Sequence, residues 1–99
     1  MTDLVVDPDA EEEYRDLLRW YEEKRPQAAD QFEAAVSRVH DLLRRFPELG
    51  ARIDRRHRSH VMVGYEIEVV YRFDYDRIHI IAYAHAKLPP GYWRNRTRR

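Results

Sequence analysis

The sequence predicts an α+β fold in which a short N-terminal strand leads into an α-helical hairpin packed on a small, mainly antiparallel sheet, in the order β-α-α-β-β-β. Three observations carry this. Apolar residues recur at helical spacing in two stretches before Pro47, the pattern alternates from Glu66 onward, and Pro or Gly punctuates the changes. The 99 residues make one domain's length, read as a single unit over 1–99 with 88–99 a basic C-terminal tail.

Leu4, Val5 and Val6 are apolar and mostly β-branched, which suits a strand, and Asp7-Pro8 supplies an N-cap acceptor and a residue preset for a first helical turn. Asp9, Glu11, Glu12 and Glu13 then complement the helix dipole, while Ala10, Tyr14, Leu17, Leu18 and Tyr21 form one face up to about Lys24. Arg25-Pro26 breaks this helix and starts another. Its stripe is Ala29, Phe32, Val36, Val39 and Leu43, widened by Ala35, Leu42 and Phe46, and it ends at Phe46-Pro47.

Beyond Gly50, a strand is expected at His60 to Val63, its start obscured by the arginine-rich stretch 52–58 and its end marked by Gly64. In the next strand Ile67, Val69, Tyr71 and Phe73 share one face, opposite Glu66, Glu68, Val70 and Arg72. Asp74-Tyr75-Asp76 makes a hairpin turn into a strand from Arg77 to Ala84, with Ile78, Ile80, Ala82 and Ala84 on one face. The helical hairpin covers one side of this sheet, and the other side is expected to stay available. The tail should leave the sheet as an irregular or briefly helical segment.

Composition removes several functions. There is no cysteine, which excludes disulfides, thiolate metal sites and thiol catalysis. The longest apolar run, Ile80 to Ala84, is too short to span a bilayer, and no secretory pattern opens the sequence, so a cytoplasmic protein without membrane attachment is expected. Charge balances at 18 basic and 18 acidic residues, but residues 1–50 hold 13 acidic and 7 basic side chains while 51–99 hold 5 and 11. The basic half is suited to an anionic partner, and also to simple solubility. His57 and His60 lack the helix or cysteine that would make their spacing a metal motif. No metal or cofactor is expected.

Four local strings together resemble the RelE/ParE superfamily of bacterial type II toxins over nearly the whole chain. They are Arg25-Pro26-Gln27-Ala28-Ala29-Asp30-Gln31-Phe32, Phe46-Pro47-Glu48-Leu49-Gly50, Val70-Tyr71-Arg72, and Ala84-His85 followed by Pro90-Gly91-Tyr92-Trp93. The Tyr-Trp ending is most similar to the ParE-like branch. The resemblance implies a toxin neutralised by a cognate antitoxin, with DNA gyrase as the ParE-branch target; operator DNA would be contacted only through the antitoxin. The RelE branch implies instead a ribosome-dependent mRNA endoribonuclease, and an inactive antitoxin-binding remnant is a third reading.

Matched residue by residue to the RelE branch, Arg58, Arg72 and Lys87 would handle phosphate charge, and His85 or Tyr92 would transfer protons. Leu88 and Pro89 stand where relatives with this ending carry cations, which favours binding over cleavage. Candidate partner contacts are Trp20, which lies off the apolar stripe, and the aromatic-basic group Tyr92, Trp93, Arg94 and Arg96, continued by Arg98 and Arg99. Tyr92 and Trp93 have a second reading, in which they fold back to close the sheet edge.

Overall fold

Asp7 joins the sheet to the first helix. The computed structural model describes residues 1–98, with side chains through Arg96; the Arg98 side chain and Arg99 lie outside what is described. Strand β1 (Asp3–Val6) ends where the Asp7 amide donates to the Ile80 carbonyl at 2.9 Å, and the Asp7 carboxylate then caps helix α1 (Pro8–Lys24) by accepting from the Asp9 amide at 2.9 Å. Arg25 is fully extended, φ −172° and ψ 147°, and so ends α1 and turns the chain into α2 (Pro26–Arg45).

The remaining strands are β2 (Ala51–Arg52), β3 (Arg58–Met62), β4 (Ile67–Asp74) and β5 (Arg77–His85), followed by a 3-10 helix at Tyr92–Arg98. They form one sheet in the order β1-β5-β4-β3-β2, parallel only between β1 and β5. The Tyr75-Asp76 turn has both φ angles positive, at 50° and 59°, the two-residue geometry that matches the twist of a hairpin.

The main core lies between helices and sheet. Phe32, Leu43, Val69, Tyr71, Ile78 and Ile80 are fully enclosed, and burial of each such apolar side chain contributes about 1.5–3 kcal/mol. Phe32 stacks between Tyr14 and Tyr21, with ring centroids 5.7 and 4.9 Å away, which locks the two helices together. The Tyr71 hydroxyl accepts from the Gly50 amide at 2.8 Å and donates to the Pro47 carbonyl at 2.7 Å, fixing the chain after α2.

Three expectations are corrected. Val70 pairs with Ala82 but Tyr71 pairs with Ile80, so Ile81 is an extra residue in β5; this bulge turns Ala82 and Ala84 away from the face that holds Ile78 and Ile80. The side of the sheet away from the helices is only partly open, because Trp93 packs there on Val70, Ile81 and Ala82 in a second apolar cluster. Phe46 does not widen the α2 stripe: it caps the helix outside its periodicity and is exposed.

Candidate functional site

Trp20 is the large side chain of α1 that the core does not use. Half exposed, it stands edge-on to Tyr21, with centroids 4.9 Å apart, and the Lys24 ammonium lies 4.6 Å above its ring. It borders an open groove of about 620 Å³ between α1 and the turn from β3 to β4, lined also by Leu17, Tyr65, His85 and Lys87. The Lys87 amide donates to His85 Nδ1 at 3.1 Å, so the chain leaving β5 bends back and keeps both side chains at this rim.

Glu66 and His85 also line a second groove, about 550 Å³, on the far side of the sheet. Val61, Ala84, Leu88, Pro89 and Trp93 make its lining largely apolar. The two grooves therefore meet at His85 and wrap around one end of β4 and β5. An aromatic half and an aliphatic half, with charged side chains of both signs at the rims (Asp16, Glu66, Glu68, Lys87 and Arg94), suit an amphipathic partner segment better than a small, enclosed ligand.

Two polar clusters hold the C-terminal segment that forms part of this surface. In one, Glu13 of α1 accepts the Tyr92 hydroxyl, a bidentate pair of bonds from Arg96 at 2.9 and 3.1 Å, and the Tyr83 amide at 3.0 Å. Arg96 also donates to the Ile81 carbonyl at 3.0 Å. Glu13 and Arg96 thus satisfy backbone groups of β5 at and beside the bulge. Burial, and then the hydrogen bond to Glu13, push the Tyr92 phenol far above its ordinary value.

In the other cluster, Arg94 lies 4.7 Å over the Trp93 ring and donates to Asp54 at 2.6 Å, while His57 tilts against Trp93 at 4.8 Å and donates from Nδ1 to Asp54 at 2.9 Å. Burial opposes ionisation of Asp54, but the Arg56 amide, Arg94 and His57 outweigh it and hold the carboxyl well below the usual range.

The residues matched to a ribonuclease do not converge. Arg58 lies opposite Tyr71 on the helix side of the sheet, its guanidinium taken up by the Glu48 and Gly50 carbonyls at 3.0 and 2.9 Å. Arg72 faces the other side, 3.9 Å from Asp74 and opposite His79, whose pKa is lowered by burial and then by Arg72. Tyr92 is engaged with Glu13. Only His85 and Lys87 share a groove, and there their neighbour is Trp20.

Of the expected partner contacts, Trp20 and Arg94 are exposed, Tyr92 and Arg96 are partly buried in the Glu13 cluster, and Trp93 is 4% exposed. Glu13, Asp54 and His57 were missed as participants. Glu13 reads as one of several dipole-complementing acids, although its place three residues after Ala10 puts it beside the buried stripe. Among the described residues, no three His, Cys, Asp or Glu side chains gather as a metal-binding group.

Comparison with known families decides the class. A family model described as the ParE toxin of the type II toxin-antitoxin system parDE matches residues 4–87. The chain belongs to this family. It is therefore a type II toxin with a cognate antitoxin as its partner. No curated protein matches the chain. The matched span takes in both helices and every strand of this ParE-family toxin except Asp3 of β1, and ends at Lys87, so the Leu88–Arg96 part of the surface is outside it. No helix among its described residues is long and apolar enough to cross a membrane.

Proposed function

We propose that this ParE-family toxin arrests growth by binding DNA gyrase, and that its antitoxin neutralises it by occupying the double groove around His85. The observation that carries the binding mechanism is that Arg58 lies on the helix side of the sheet while Arg72 and Tyr92 lie on the other, apart from the open groove that Trp20, His85 and Lys87 line. Acid-base cleavage needs its base, acid and phosphate-binding cations around one reacting atom. Docking needs an aromatic anchor and an accessible rim. In this reading Trp20 and Arg94 touch the partner, and Tyr92, Trp93 and Arg96 hold the C-terminal wall of the groove.

The test is pulse-labelling of DNA and protein synthesis in the first minutes after the toxin is induced without its antitoxin. DNA synthesis is expected to fall first, and purified toxin to inhibit gyrase supercoiling. Translation failing first, with cleavage of ribosome-bound mRNA lost in Arg72→Ala and Tyr92→Ala, would replace this reading with mRNA cleavage; no early change in either synthesis would leave an inert antitoxin binder.

A further inference from the structure

The loop between β2 and β3 gathers cations that the protein does not neutralise. Residues 52–58 read Arg-Ile-Asp-Arg-Arg-His-Arg, and Arg52, Arg55, Arg56 and Arg58 line one pocket of about 100 Å³ beside Phe73. That is roughly three water molecules' share of liquid volume, space for one tetrahedral oxyanion. The pocket's carboxylates are Glu48 and Asp54. Asp54 is already occupied by Arg94, His57 and the Arg56 amide. Arg58 is held by two carbonyls, which leave its charge uncompensated. Arg52, Arg55 and Arg56 are exposed, and none of their guanidinium groups has a hydrogen bond or ion pair among the described residues.

We propose that the 52–58 loop is an oxyanion site that takes backbone phosphates of a nucleic acid. Guanidinium forks pair with phosphate oxygens two at a time, and their charge repels in the empty loop but is compensated when phosphate enters. An acidic peptide is the competing polyanion. Peptide docking draws its energy from buried apolar or aromatic anchors, and apart from Phe73 every residue lining this pocket is charged or a histidine. Contact with phosphates carries no base reading, so binding is independent of sequence. The inference stands on the loop alone and does not depend on gyrase being the target.

Fluorescence anisotropy of the full chain with a labelled mixed-sequence duplex, over a salt series, tests it. Log affinity should fall with log salt at a slope of about −2 to −3, the value for one phosphate seated in the pocket and one or two neighbours reached by the exposed Arg52, Arg55 and Arg56. The triple variant Arg52→Gln, Arg55→Gln, Arg56→Gln should lose about tenfold or more in affinity and flatten the slope by about 2, with unchanged circular dichroism. Arg15→Gln with Arg19→Gln, on the exposed face of α1, should bind as the unaltered protein does. The proposal is overturned by an unaltered protein that fails to bind at low salt, or by a triple variant with the original affinity and slope. Polyglutamate displacing the duplex more effectively than unlabelled duplex would assign the loop to an acidic protein and overturn it equally.

Discussion

Arg96 and Glu13 meet through two parallel hydrogen bonds, 2.9 and 3.1 Å, although 83 residues separate them in the chain. Both side chains are mostly enclosed, at 15% and 17% exposure, and Glu13 is also the acceptor for the Tyr92 hydroxyl and the Tyr83 amide. Removing the carboxylate leaves a partly buried cation, a phenol and an amide without their acceptor. Glu13→Ala should therefore cost about 2–3 kcal/mol, lowering Tm by roughly 10 °C or more. Glu13→Gln keeps an acceptor oxygen and should lose less; a thermal melt of the two variants ranks them. Equal melting of Glu13→Ala and the parent would show that the clasp does not hold the tail.

The same clasp sets behaviour in alkali. The phenols of Tyr83 and Tyr92 are both raised well above the ordinary value, first by burial and then by nearby carboxylates. A folded pKa above the unfolded one gives stability that is complete below about pH 10 and is lost as pH climbs beyond it. Denaturant melts between roughly pH 9 and 12 should show this loss. Tyr92→Phe should flatten the profile, since it removes one titrating phenol, while lowering stability at neutral pH.

Asp54 reverses the sign. Its folded pKa lies below the unfolded value, so its contribution is present above about pH 4 and disappears as pH falls further. Asp54→Asn should weaken the Arg94 and His57 contacts at neutral pH and remove part of the acid dependence. Near-ultraviolet circular dichroism of Trp93, which touches both His57 and Arg94, reports the event locally.

Gly50 is required by contact. A Cβ there would lie 2.7 Å from the Tyr71 hydroxyl and 2.9 Å from the Ser59 carbonyl, both fixed by hydrogen bonding or by the sheet. Gly50→Ala should cost about 1–3 kcal/mol through overpacking. Tyr71→Phe leaves the buried Gly50 amide without its acceptor and should cost a similar amount. Because the two changes disturb one contact, their double variant should lose less than the sum, which a double-mutant cycle measures.

These contacts also mark where the sequence stops being legible. The helices, β1, β4 and the Tyr75 turn follow from local signals: Asp7-Pro8, Arg25-Pro26, and the change of period after Gly64. The bulge at Ile81 has no local signature, because β5 reads as a run of apolar residues either way; its consequence is that Ala82 and Ala84 change sides. The two-residue β2 is too short to carry a pattern. The exposure of Trp20 was legible because it breaks the α1 stripe. That Tyr92 and Trp93 fold back onto the sheet was legible, but the face and the contacts were not: Trp93 arrives through a segment with three Pro or Gly residues, and the segment's anchors Glu13, Asp54 and His57 lie 36 to 80 positions before Trp93 in the chain. Long-range polar pairing leaves no periodic trace.

The groove makes the functional prediction. Trp20 spends about half its surface on solvent, and the rest packs on Tyr21 and Lys24, so its truncation should scarcely affect folding. A partner that covers it gains an aromatic anchor of the kind that dominates interface energies, about 2 kcal/mol or more. Trp20→Ala should thus weaken antitoxin affinity by roughly thirtyfold with Tm nearly unchanged. Lys87→Gln, at the rim, should act mainly on the association rate and on salt dependence. Surface plasmon resonance at two ionic strengths separates these effects. Loss of affinity in both variants alongside retained growth arrest would assign the groove to the antitoxin alone, whereas loss of both activities would make it the shared site of antitoxin and target; unchanged affinity in Trp20→Ala would move the antitoxin to another face of the sheet or helices.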